Sequence, residues 1–181
     1  DDPGMLVFVD ESSVGKKACR RRRGWSPRGT TATGLEFFTG TDATSGSTYT
    51  LIAAADINGF VEAACQAVWR KRSSTDRNSA RGTVDAAFFT EWVRTMLVPT
   101  LGNFSLAEPR SVVVMDNARV HNPADVEDLV TAAGAKIIWT AAYSPELNPI
   151  ERCFALYKKW IQRYRTYFGA DVVLRHMTAL H

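Results

Sequence analysis

The sequence predicts an α/β fold built on a mixed central sheet. Two short, unbroken apolar runs, residues 5–9 and 111–115, each lead into an aspartate. Such runs suit strands buried on both faces. In the second half, strand-like runs alternate with helical stripes, which implies parallel pairing with right-handed crossovers.

The first strand covers residues 5–9 and ends at Asp10. A basic segment and Trp25-Ser26-Pro27-Arg28-Gly29 then break any periodicity, so a loop is expected there. Residues 35–41 and 48–56 are β-rich, and the turn signal Asp56-Ile57-Asn58-Gly59 precedes a third candidate strand at 60–68. Together they predict an antiparallel hairpin or meander. Residues 71–82 are polar and aperiodic, which predicts a mobile loop.

From 84 to 97 the apolar positions fall at 88, 92, 96 and at 89, 93, 97, an amphipathic helix stopped by Pro99. A strand at 111–115 ends at Asp116, a helix runs from about 123 to 133 and closes at Gly134, and a strand follows at 136–140. The last helix carries apolar residues at 150, 154, 157, 161 and 164, a stripe that must pack on the sheet.

The chain has 181 residues, 45% of them hydrophobic, enough for one domain with a substantial core. Neither a membrane span nor a secretion signal is evident. Cys19, Cys65 and Cys153 are odd in number and lack zinc-site spacing, so they read as reduced thiols in an intracellular protein.

The net charge is only +3, but 17 of the 22 basic residues lie in three segments, 16–28, 70–81 and 152–165. Clusters of this kind are the footprint of a polyanion partner; solvated loops are the alternative.

Asp10 and Asp116 each stand at the end of a predicted strand, the sheet edge where ligands bind in open α/β folds. If the strands are parallel neighbours, the two anions repel and a divalent cation relieves them. Glu151 opens the last helix, and its flank continues through Ala155, Lys158, Gln162 and Arg165. Oxygen ligands without His or Cys select Mg²⁺ or Mn²⁺, and two such ions suit in-line phosphoryl displacement. The aspartates could instead merely terminate strands. Glu151 could serve capping alone, with Asn148 as N-cap and Pro149 at N1.

The blocks Phe8-Val9-Asp10-Glu11-Ser12, Gly24-Trp25-Ser26-Pro27-Arg28-Gly29, Val114-Met115-Asp116-Asn117-Ala118-Arg119-Val120-His121 and Tyr143-Ser144-Pro145-Glu146-Leu147-Asn148-Pro149-Ile150-Glu151 occur in this order, with 34 residues between Asp116 and Glu151. In these blocks the sequence resembles the DDE transposases of the mariner-like and related bacterial insertion-sequence superfamily. The resemblance, over about 5–165, implies a ribonuclease-H-like fold with a five-stranded sheet whose first and fourth strands are parallel neighbours. It implies that Asp10 bridges two metals while Asp116 and Glu151 each ligate one, leaving Glu11 and Glu146 as competing carboxylates. It further implies cleavage at transposon ends, strand transfer by the freed 3′-hydroxyl, double-stranded DNA as partner and a homodimer. Family members carry helix-turn-helix modules before this domain. With the first strand at residue 5, the sequence reads as a single catalytic domain over 1–181 without that module.

Arg20, Arg21, Arg22, Arg23 and Arg28, with Lys158 and Arg165, are expected at DNA phosphates, although the arginine run could also serve nuclear import in a eukaryote. Trp25 suits stacking on an unpaired base, or else a small cluster anchoring its loop. Asn117 and His121 are secondary candidates that either approach metal-bound water or DNA or order their loop by hydrogen bonds. Rival readings are a DNA-binding scaffold that no longer cuts and a ribonuclease-H-like nuclease acting on RNA.

Overall fold

The computed structural model describes residues 2–14, 25–30, 49–69, 84–118, 121, 123–141, 144 and 147–164. Five strands, β1 (Leu6–Val14), β2 (Tyr49–Asp56), β3 (Gly59–Trp69), β4 (Val112–Asp116) and β5 (Lys136–Thr140), form one sheet in the order β3-β2-β1-β4-β5. β1, β2 and β3 are an antiparallel meander, and β4 and β5 extend it in parallel from β1. The expected mixed sheet is present, with the first and fourth strands as parallel neighbours. The strand expected at 35–41 and the loop expected at 71–82 lie outside the described residues.

Two of these elements differ from the sequence reading. β1 does not stop at Asp10 but continues to Val14, because β2 supplies an antiparallel partner as far as Tyr49. The helix expected over 84–97 is α1 (Ala86–Trp92), followed by a π-helical turn at Val93–Leu97 and a 3-10 turn at Val98–Thr100. Pro99 has no N–H to continue the ladder, so its last turns reorganise around that gap. The apolar stripe survives the change, since Phe89, Trp92, Val93 and Leu97 are all buried.

Turns follow from local chemistry. The Asp56 carboxylate accepts from Asn58 N at 2.8 Å and Gly59 takes φ +119°, which reverses the chain between β2 and β3. Helix α2 (Pro123–Ala132) ends at Gly134 with φ +83°, where Ala135 N donates to Val130 O at 3.2 Å in a Schellman closure. A side chain at 134 would also run into Asn103 Nδ2, 2.7 Å from the Cβ position.

Helices cover both faces of the sheet. Val7 and Val9 of β1 and Val113 and Met115 of β4 pack with α1, the π turn and α2. On the other face Val14, Leu51, Ala53 and Ala55 meet Ile150, Phe154, Tyr157 and Ile161 of α3 (Ile150–Tyr164). Ala53 and Ala55 are small, so the large α3 side chains fit close to the sheet. Phe60 caps this contact, 5.8 Å from the Phe154 ring centroid.

Phe154 is 1% exposed and Leu156 66% exposed on the same helix. Phe154→Ala is expected to cost about 3–5 kcal/mol in urea unfolding, and Leu156→Ala less than about 0.5 kcal/mol. Equal midpoints for the two variants would mean that α3 does not seat on the sheet as described.

Candidate active site

Side chains alternate faces along a strand, so the register of β1 against β4 decides where their acids point. The last parallel partners are Phe8 and Val114. Phe8 packs toward α3, whereas Val7 and Val9 face α1 and α2. Asp10 shares the Phe8 parity and Asp116 the Val114 parity, each two residues beyond the last pair. Both therefore turn toward α3, where Glu151 stands exposed in the first helical turn. Three acids distant in sequence thus share one face of the sheet.

Asp10 is partly buried, and its Oδ1 accepts from Glu11 N at 2.7 Å. Burial raises its carboxyl most; the Glu11 N–H lowers it, and the charges of Glu11, Asp116 and Glu151 raise it further, to about 7. A carboxyl pushed this far among other carboxylates is a group that a cation would relieve. Asp116 Oδ1 is a buried acceptor without a hydrogen bond, although His121 Nδ1 lies 3.0 Å away. The two observations agree once direction is considered, because Nδ1 aims its hydrogen at the Asp116 carbonyl, 2.9 Å distant. The donor set is all oxygen, as Mg²⁺ or Mn²⁺ requires. Among the described residues no three His, Cys, Asp or Glu side chains close into a ligand shell. Mutual repulsion of bare carboxylates opposes that closure.

Asn148 departs from its expected role as a helix cap. Its side chain is buried and turned to β1, with Nδ2 3.4 Å from Val9 O and 3.5 Å from Asp10 Oδ2. The start of α3 is instead tightened by backbone bonds, Glu151 N to Asn148 O at 3.2 Å and Arg152 N to Pro149 O at 3.0 Å. The Asn148 Oδ1 itself caps no backbone N–H.

Glu11, one residue after Asp10, points to the opposite face and meets the buried His121. Burial by itself would lower the imidazole; the hydrogen bond and charge of Glu11, then the contacts with Asp116, outweigh it and raise His121 to about 9. His121 thus makes hydrogen bonds to Glu11 and to the Asp116 carbonyl oxygen. Asn117 is exposed beside it.

The expected phosphate contacts divide. Arg20, Arg21, Arg22, Arg23 and Arg165 lie outside the described residues. Arg28 sits at the tip of a turn closed by Thr30 N to Pro27 O at 3.1 Å, with Gly29 at φ +87°. Trp25, just before it, is fully exposed, and among the described residues no apolar cluster covers it. Lys158 is half-buried, and the solvent-most face of α3 carries Arg152, Lys159 and Arg163 instead, because the buried stripe is centred on 150, 154, 157 and 161. Periodicity alone could have located that face.

The family model of the DDE superfamily endonucleases matches residues 5–171. No curated protein sequence matches the chain. Among solved structures, the Mos1 strand transfer complex superposes with a TM-score of 0.57 at 18% identity, over 99% of this chain and 51% of that one. The Mos1 mariner paired-end complex with Mn gives 0.51 at 19% identity, over 99% and 52%. The catalytic core domain of BIV integrase gives 0.52 at 12% identity, over 98% and 81%. The chain thus spans about half the length of these Mos1 chains. The fold is ribonuclease-H-like, and the chain belongs to the DDE superfamily endonuclease family.

Proposed function

We propose that this chain is a transposase catalytic domain that cuts DNA at transposon ends and joins the freed 3′-hydroxyl to target DNA. Asp10, Asp116 and Glu151 are its catalytic acids and would hold two divalent cations, Mg²⁺ or Mn²⁺. The observation that carries this reading is the shared face of the three acids, imposed by the Phe8–Val114 register and the seating of α3. Such ions, when bound, supply an activated water or hydroxyl and stabilise the leaving oxygen.

The chain's own residues orient and neutralise. Asp10 projects from the centre of the sheet, with Asn148 beside its Oδ2. Asp116 offers a carboxylate whose Oδ1 makes no hydrogen bond. Glu151 sits on the same α3 flank as Lys158, seven residues and about 10.5 Å along the axis. We place the phosphodiester backbone along that flank, with Lys158 at a phosphate, and assign Arg20, Arg21, Arg22, Arg23, Arg28 and Arg165 to phosphates of the approaching duplex. Trp25 would stack on a base exposed at the cut end. The active assembly holds two ends, by analogy with the Mos1 paired-end complex, and we take it to be a homodimer, as the family resemblance implies.

Asp116→Asn is expected to reduce Mg²⁺- or Mn²⁺-dependent nicking of a labelled duplex by more than the roughly 10–100-fold typical of losing a hydrogen-bond partner behind a metal ligand. DNA binding without cleavage in the wild type, with a DNA-reading module supplied, would instead favour a binding protein that no longer cuts. Cleavage confined to RNA or hybrids would favour a ribonuclease.

Arg28→Ala should weaken duplex binding alike across sequences and lower the slope of log K against log salt by about one. An unchanged slope would remove this turn from the DNA path.

Without metal, two groups set a pH dependence of stability. Asp10 has its folded pKa raised from 3.8 to about 7, so its contribution is complete below pH 3.8 and lost as pH rises through 7. His121 is raised from 6.5 to about 9, so its contribution is complete below 6.5 and lost as pH rises through 9. The unfolding free energy of the metal-free chain in urea should therefore fall between pH 5 and 9.5, by on the order of 1–3 kcal/mol, and the midpoint with it. His121→Gln should flatten the upper part of that fall. A midpoint that rises over this range would contradict both assignments.

A further inference from the structure

The parallel ladder between β1 and β4 stops at Phe8 and Val114, two residues short of Asp10 and Asp116. Asp10 and Asp116 therefore stand beyond the last paired residues of these two strands. One buried side chain crosses the gap. His121 is 1% exposed, and its Nε2 lies 3.1 and 3.0 Å from the two Glu11 carboxylate oxygens on β1. Its Nδ1 lies 2.9 Å from the Asp116 carbonyl oxygen at the end of β4 and 3.0 Å from Asp116 Oδ1.

Three features distinguish this arrangement from a buried histidine that merely satisfies itself. Both ring nitrogens are used, one on each strand, so the imidazole is a strut of fixed length. The ring is stacked on Phe89 of α1, with centroids 4.4 Å apart and planes at 26°, which fixes its rotation. The hydrogen bond to β4 goes to the main chain, so the Asp116 carboxylate, 49% exposed, keeps its acceptor capacity for another group.

We propose that Glu11 and His121 form a positioning pair that sets the separation of Asp116 from Asp10. Neither residue touches the cation or the DNA. The inference rests on the reading of Asp10, Asp116 and Glu151 as the metal-holding acids. Glu11 is thereby a partner of the site and not a competing ligand, and the pair ties β1 to the end of β4 beyond their last paired residues.

The test is Mn²⁺ binding to the 181-residue chain, followed by electron paramagnetic resonance and calorimetry, with nicking rates and unfolding midpoints measured alongside. His121→Phe keeps a ring against Phe89 but loses both hydrogen bonds; it should weaken Mn²⁺ binding about 10–100-fold. Its nicking rate should fall, with DNA affinity unchanged. Glu11→Gln retains an acceptor for Nε2, should fold as the wild type does, and should lose less than His121→Phe. If either folded variant binds Mn²⁺ as tightly as the wild type, with only its unfolding midpoint lowered, the pair is a stability element and the inference is overturned. Asp116→Asn separates this from the broader reading. If that variant also binds like the wild type, or the wild type does not bind, the metal-holding acids are misassigned and both readings fall.

Discussion

The pairing of Phe8 with Val114 is the constraint on which the rest of the site depends. A strand presents its side chains to alternate faces, so a slip of one residue would send Asp10 or Asp116 to the α1 and α2 side of the sheet. The apolar residues around them enforce the register. Val7, Val9, Val113 and Met115 are fully buried against the helices of one face, and exchanging their parity would place acids in that core. Hydrophobic burial therefore aims the carboxylates.

The same alternation gives adjacent carboxylates separate tasks. Asp10 faces α3 among other acids, and burial raises its carboxyl to about 7. Glu11 faces the other way and pairs with a buried imidazole. Neutralising charge in that manner is an accepted route to burying an ion, and removing one partner of such a pair is more damaging than replacing both. A cluster of acids thus sits above the sheet and a compensated pair below it.

α3 completes the arrangement. Its buried stripe of Ile150, Phe154, Tyr157 and Ile161 fixes its rotation on β1 and β2, and that rotation leaves Glu151 on a flank of the helix and not on its outer ridge. The small Ala53 and Ala55 beneath make the close seating possible. Among the described residues no helix is long and apolar enough to cross a membrane.

Much of this was legible in the sequence because it is local or periodic. The apolar runs before Asp10 and Asp116, the Asp56–Gly59 turn, the α2 closure at Gly134 and the α3 stripe each follow from short-range spacing, and the motif blocks identified the family. Other features needed partners brought from far along the chain. The extension of β1 to Val14 exists because β2 pairs with it, and the altered last turns of the 84–97 segment reflect how the ladder meets Pro99. Asn148 has the composition of a cap, yet its amide is drawn to Val9 and Asp10 across the fold. His121 is separated from Glu11 by 110 positions, and no periodicity relates them. Sequence by itself determined the elements, the face each helix buries and the acids available. Tertiary structure alone decided which acid meets which partner, because pairing register and helix rotation are set by core packing between segments that sequence order keeps apart.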